Sequence, residues 1–269
     1  MLEIKFLENF YKMDNYNFTI KTVKEAGDHL VSLRARGFET LGKHGDPKDV
    51  VTSVDLEIEK FIVDRIKEEF PDHGVYSEEG ASVVSQNKLQ WTIDPIDGTA
   101  NFSRGIPHFS VCLGLLKGSE IMLGAVYNPV TNELFSFKKG KGAFLNGEKI
   151  RVSTIEDLKD AHVFLHVGRK EELREWGGES YKKLLANAKK TSNLASSALD
   201  ACFVAAGRIE ANIYGTLSAL DIAPALGILK EAGGIIADED GNFPELDSIP
   251  QKIYMANNKK ILEALKKLL

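Results

Sequence analysis

Residues Trp91-Thr-Ile-Asp94-Pro95-Ile96-Asp97-Gly98-Thr99-Ala100-Asn101-Phe102 leave few local structures open to this chain. The apolar approach, Trp91 to Ile93, has the character of the end of a buried strand. Pro95 lacks the N–H that a ladder needs, and Gly98 breaks what pairing remains. The Asp-Gly-Thr end reads as a turn that opens a helix. Two carboxylates on such a break can face one hard cation, and the N–H groups of Gly98 and Thr99 can face an anion. The same residues also make an ordinary strand-to-turn corner with solvated, capping aspartates. Taken alone, the stretch does not separate these two readings.

Such a corner needs a core beneath it. A chain of 269 residues buries roughly three-quarters of its unfolded surface, as one large domain or two that share a core. Its 43% hydrophobic and 27% charged content is that of a soluble globule. The net charge is −5 and no basic stripe stands out, so no nucleic-acid partner is expected. Cys112 and Cys202 lie in apolar runs and read as buried thiols of a reducing compartment, not as a disulfide. Residues 1–17 carry no apolar run of signal-peptide length and read as an added segment, with Met13 as an alternative start. No stretch reaches membrane-span length. A cytoplasmic protein without a membrane partner is the expectation.

Periodicity predicts a helix from Thr19 to Arg36, with Val23, Ala26, Leu30 and Leu33 on one face and Gly37 as its stop. Gly37 to Lys48 holds Gly42, Gly45 and Pro47 and reads as a mobile loop bearing Lys43, His44 and Asp46. Thr52-x-x-Asp55 fits a capping box ahead of a helix with Ile58, Phe61, Ile62 and Ile66 inward. Val75 to Gly80 reads as a short strand ending in Glu78 and Glu79, and 81–90 as a loop. Apolar runs from Phe109, Glu120, Leu134 and Ala143 make an antiparallel meander of about four strands, turned first at Gly118-Ser119. Beyond residue 153 strands alternate with helices, which implies an α/β half. Helices are predicted over 170–188 and 193–208, from Asp221, and over 259–269.

Asp55, Glu78, Asp94, Asp97 and Asp221 all fall where a strand stops or a helix begins. Acids on such ends can converge on one cleft, and magnesium takes carboxylates there together with a substrate phosphate.

The run Asp94-Pro-Ile-Asp97-Gly-Thr99-Ala-Asn101-Phe102 resembles the signature of the inositol monophosphatase family, within the magnesium-dependent, lithium-sensitive sugar phosphatases. Asp49-x-x-Thr52-x-x-Asp55, Ser77-Glu78-Glu79, Leu220-Asp221-Ile-Ala-Pro-Ala and Glu231-Ala-Gly-Gly234 resemble it too, in the family's order, from about residue 19 to the end. The region 102–152 is similar to archaeal members that hydrolyse both inositol monophosphate and fructose 1,6-bisphosphate. The resemblance implies a layered α/β/α/β/α sandwich. Its N-terminal α+β half, 1–155, would carry most of the metal ligands. Its C-terminal α/β half, 156–269, would carry Asp221 and the substrate pocket.

The resemblance also implies roles. Glu78, Asp94 and the Ile96 carbonyl would bind one Mg²⁺, and Asp94, Asp97 and Asp221 a second. Glu78 would help to hold a third, weaker ion. Thr99, bonded to Asp55, would orient the attacking water, and Gly98 and Thr99 would receive the phosphate. The loop at 37–48 would tune the third ion. The substrate would meet Asp97, Gly98, Thr99, Ala195, Ser196, Ser197 and Tyr214. A homodimer and lithium inhibition are family expectations.

Some positions depart from the family. The glutamate that contacts inositol in animal members is replaced by Tyr214, and the tryptophan before the last aspartate by Leu220. The pocket's glycine and alanine fall near Ala195 and Ser197. A sugar phosphatase broader than an inositol specialist follows. The alternatives are a 3′-phosphoadenosine phosphate or NADP⁺ phosphatase, against which Ala100-Asn101-Phe102 speaks, and a non-catalytic metal- or phosphate-binding regulator. His108 reads as structural. Lys189, Lys190 and Arg208 read as solvated, with a second phosphate as their functional option.

Overall fold

The structure is a computed structural model that describes residues 14–43, 46–168, 171–247 and 249–269, with side chains of 40–51 set aside. The expectations for residues 1–13, including the alternative start at Met13, and for His44 lie outside the described residues, as do the side-chain roles of Lys43 and Asp46. Two sheets carry the fold, and helices fill the layers outside and between them.

Helix α1 (Asn15–Arg36) begins four residues before its predicted start. Asp14 caps it, its carboxylate accepting from the N–H groups of Tyr16 and Asn17. Gly37, at φ 89°, closes it. Helix α2 (Ser53–Glu69) opens on the predicted capping box, with the Thr52 and Asp55 bonds both formed. Both helices lay their apolar stripes on one face of an eight-stranded sheet, where Leu30, Ile58, Ile62, Trp91, Phe102 and Leu113 form the first core. Trp91 is anchored there, its indole N–H donating to His73 Nδ1 at 3.0 Å.

That sheet runs β10 (Glu148–Ile150), β9 (Gly142–Leu145), β8 (Glu133–Lys138), β7 (Glu120–Asn128), β6 (Ser110–Lys117), β5 (Leu89–Asp97), β3 (Gly74–Ser77) and β4 (Ser82–Val83). The meander β6 to β10 is antiparallel throughout. β3 and β5 are parallel, with Ser77 opposite Ile93. Helix α3 (Thr99–Arg104) follows β5 directly.

The second sheet is β12 (Lys190–Ser192), β11 (His162–His166), β13 (Ala211–Leu217), β15 (Gln251–Ala256) and β14 (Ile235–Ala237). β12, β11 and β13 are parallel; β15 runs against β13 and β14. Helices α5 (Ser197–Ala205) and α6 (Ala223–Glu231) lie between the sheets. Their core joins Val126, Phe135 and Phe137 of the first sheet to Tyr214, Ile253 and Met255 of the second. The approach of α6 is close: a Cβ on Gly124 would stand 2.8 Å from Pro224 Cβ. Helices α4 (Glu172–Asn187) and α7 (Lys259–Leu268) cover the outer face. The order of layers is α/β/α/β/α, as the resemblance implied.

Several local expectations are corrected. The segment 81–90 is not all loop: Ser82–Val83 pairs with β3 as β4, and β5 begins at Leu89. The segment 37–48 is not a loop: β1 (Thr40–Lys43) and β2 (Asp46–Thr52) pair as an antiparallel ribbon. Proline excludes a central strand, but a two-stranded ribbon has an open edge for it. The helix predicted over 193–208 is shorter, because Ala195 sits at φ 59° and the helix starts only at Ser197. Lys190 belongs to a strand, not to a helix face.

Candidate active site

The signature stretch folds as a bulge followed by a turn. Asp94 pairs with Cys112 and Asp97 with Ser110, so β5 advances one residue more than β6 between them. Pro95 supplies no N–H for that interval. Asp94 Oδ1 accepts the Ile96 N–H at 3.0 Å, which holds the bulge from within. Gly98 then turns at φ 88°, ψ 37° into α3. A side chain there would be strained, and its Cβ would stand 3.1 Å from the His108 carbonyl.

The acids gather at the C-terminal ends of β3 and β5. The Glu78 N–H donates to the Ile93 carbonyl at 3.1 Å, which sets Glu78 beside Asp94. Glu78 is exposed; Asp94 and Asp97 are each 4% exposed. Tyr76 carries its hydroxyl to Asp221 Oδ1 at 3.4 Å and so brings the later aspartate to the same end. Beneath them lies Cys112, whose thiol is pushed well up by burial and then by the charges of Asp94 and Asp97. It is a neutral floor.

Asp55 and Thr99 meet as expected. Asp55 is fully buried. Its Oδ2 accepts the Thr52 N–H at 2.7 Å and the Thr52 hydroxyl at 2.5 Å. Its Oδ1 faces the Thr99 hydroxyl at 3.1 Å. The capping role and the Thr99 role therefore coexist on opposite oxygens. The Thr99 hydroxyl also stands 2.9 Å from the Ile96 carbonyl. It has one proton, so it serves one acceptor at a time.

Asp97 accepts five hydrogen bonds. Oδ1 accepts from Ser197 N at 2.8 Å and Ser197 Oγ at 2.7 Å. Oδ2 accepts from Ala198 N at 3.1 Å, Ser110 Oγ at 3.3 Å and Ser196 Oγ. It caps α5 from 100 residues away along the chain. Ser196, Ser197 and Asp97 are thus brought together, with Ala195 beside them.

Tyr214 lies deeper. It is 3% exposed, and its hydroxyl donates to Asp200 Oδ2 at 3.1 Å. Its ring stacks on His166, with centroids 4.7 Å apart. Asp200 Oδ1 meets His108 Nε2 at 2.9 Å. Burial raises the Asp200 carboxyl's pKa, held back by the His108 bond. Of the basic residues, Arg208 is paired with Glu133 and lies over the Phe203 ring at 4.8 Å, and Lys190 is exposed. Sequence reasoning passed over Tyr76, Ser110 and Asp200. Tyr76 carried a signal, because alternation puts it on the strand face of Glu78. Asp200 carried none.

The residue types fit a hard cation: carboxylates of Glu78, Asp94 and Asp221 and the Ile96 carbonyl offer oxygen only, with no sulfur or imidazole. Among the described residues no three His, Cys, Asp or Glu side chains are already closed around one point. The sequence profile of the inositol monophosphatase family matches residues 13–269. The chain belongs to that family. A fructose-1,6-bisphosphatase/inositol-1-monophosphatase of Thermotoga maritima is 36% identical over 229 residues, covering 85% of this chain and 86% of the relative. Nus factor SuhB of Vibrio cholerae is 35% identical over 240 residues, covering 86% and 88%. The solved Thermotoga maritima IMPase superimposes with a TM-score of 0.86 at 33% identity, covering 95% of this chain and 96% of that one. Family membership supports a phosphatase, and the family is metal-dependent.

Proposed function

We propose that this protein is a Mg²⁺-dependent phosphomonoesterase acting on sugar or polyol phosphates, inositol 1-phosphate and fructose 1,6-bisphosphate among them. The observation that carries the reading is the Thr99 hydroxyl, set between Asp55 Oδ1 and the Ile96 carbonyl. Glu78, Asp94, the Ile96 carbonyl, Asp97 and Asp221 would hold two or three Mg²⁺ ions, which when bound neutralise phosphate charge and acidify water. Glu78 counts as catalytic through the third ion. Thr99 donates to Asp55 and keeps its lone pairs for an incoming water, which it aims at phosphorus. The N–H groups of Gly98 and Thr99, at the start of α3, would face the phosphate oxygens. The water oxygen bonds to phosphorus and gives up one proton, the phosphorus–ester oxygen bond breaks, and the leaving oxygen takes up one proton as the alcohol.

Ala195, Ser196 and Ser197 line the organic end. Tyr214 forms its floor, and its hydroxyl is engaged by Asp200. No acid at position 214 selects inositol, which favours a broader sugar phosphatase over an inositol specialist. The non-catalytic regulator remains the second reading, because a relative at 35% identity is named a Nus factor. Among the described residues no helix is long and apolar enough to cross a membrane. A cytoplasmic homodimer without a nucleic-acid partner belongs to the same proposal.

The test is phosphate release with Mg²⁺ over inositol 1-phosphate, fructose 1,6-bisphosphate, NADP⁺ and adenosine 3′,5′-bisphosphate. The first two are expected to be hydrolysed in preference to the nucleotides. No turnover of any would sink the phosphatase reading. Thr99→Val is expected to lower kcat about 10²-fold with KM little changed, since a misaimed water loses orientation, not binding. A normal kcat in that variant would remove Thr99 from the mechanism.

A further inference from the structure

Asn101 lies in α3 two residues beyond Thr99 and is 7% exposed. Its Nδ2 donates to the carbonyls of His108 and Leu194, each at 2.8 Å, and the Ala195 carbonyl stands at 3.4 Å. All three partners are acceptors, so the nitrogen must face them; a flipped amide would set oxygen against oxygen. Leu194 and Ala195 lead into α5. Ala195 is at φ 59°, in the left-handed region that disfavours a residue with a Cβ. Such a conformer persists only where its surroundings hold it. Past Ala195 the chain reaches Ser196 and Ser197, which close on Asp97.

The wall 194–198 is therefore gripped twice by one short stretch, by Asp97 on one side and Asn101 on the other. Between those grips lie Gly98 and Thr99. We propose that Asn101 is a positioning residue: it sets the spacing between the Gly98–Thr99 phosphate end and the Ala195–Ser197 wall. Phosphate monoesters whose hydroxyls reach that wall are selected by this spacing. The inference rests on the phosphatase reading above.

Asn101→Ser withdraws the two-armed donor. With inositol 1-phosphate, KM is expected to rise about tenfold with kcat within about threefold, and inhibition by inorganic phosphate to stay as in the wild type. Adding Ala195→Gly, which occupies φ 59° without support, is expected to bring KM much of the way back down. A merely structural role would lower the melting temperature and the active fraction, and so kcat, without raising KM. Should Asn101→Ser not fold, Asn101→Gln keeps both donors on a longer arm and is expected to show the same rise in KM. An unchanged KM, a fall in kcat alone, absent rescue, or weaker phosphate inhibition in step with KM would overturn the inference. A wild type that releases no phosphate overturns the phosphatase reading and this one with it. A wild type that turns over beside an unaltered variant overturns this one alone.

Discussion

Asp94→Asn is expected to lower phosphate release by at least about 10³-fold, equivalent to about 4 kcal/mol of lost transition-state stabilisation, while the protein stays folded. The fold survives because the substitution keeps what Asp94 does structurally. An amide oxygen can still accept the Ile96 N–H that holds the bulge. The carboxylate is also 4% exposed, as is Asp97 three residues on, and both act on the Cys112 thiol below. Removing one of two neighbouring buried negative charges relieves repulsion. What goes is the charge, and with it the second carboxylate oxygen that would face the cation. The check is threefold: phosphate release, a thermal melt, and the shift of that melt with Mg²⁺. At 100 times its Kd a bound ion adds about 2.7 kcal/mol of stability to the wild type. The variant is expected to melt as the wild type does without Mg²⁺ and to lose the shift. Near-normal turnover would mean that the metal assignment is wrong.

Asp97→Ala should fail in the opposite way, with stability lost along with activity. Asp97 holds the start of α5 through Ser196, Ser197 and Ala198, and it also takes the Ser110 hydroxyl. Ser196 at the cap position makes no side-chain cap bond of its own. A lost cap costs about 0.5–2 kcal/mol. Each buried donor left without a partner adds about 1–3 kcal/mol, less whatever water recovers. A total of about 4 kcal/mol corresponds to a Tm lower by about 7 °C in a chain of this size. A melt within about 2 °C of the wild type would show that the clasp contributes little. Read beside Asp94→Asn, the result separates two acids of one motif by what they hold.

Much of the architecture was legible in the sequence because it is written locally. The Thr52–Asp55 box, the glycine stop at Gly37 and the inward face of Ile58, Ile62 and Ile66 need only neighbours within a turn. The meander was legible for the same reason: Gly118-Ser119 and the apolar runs beside it set the pairing. The reading of 37–48 as a loop went astray because glycine and proline weaken a strand without forbidding an open-edged ribbon. The start of α5 was misplaced because its cap lies in β5, far from the local window.

The opening motif, residues 91–102, shows where the division falls. The sequence by itself determined that Pro95 interrupts the ladder of β5, that Gly98 ends the strand, that carboxylates stand at both places, and that a helix follows. Spacing along one chain sets these, since bulges and caps act within a few residues. Only the tertiary structure decided that Asp97 clasps α5, that Asn101 reaches the carbonyls of 194 and 195, and that Tyr214 turns to Asp200. Those partners lie 14 to 100 residues apart and meet only through the packing of separate elements, which leaves no period or spacing in the sequence.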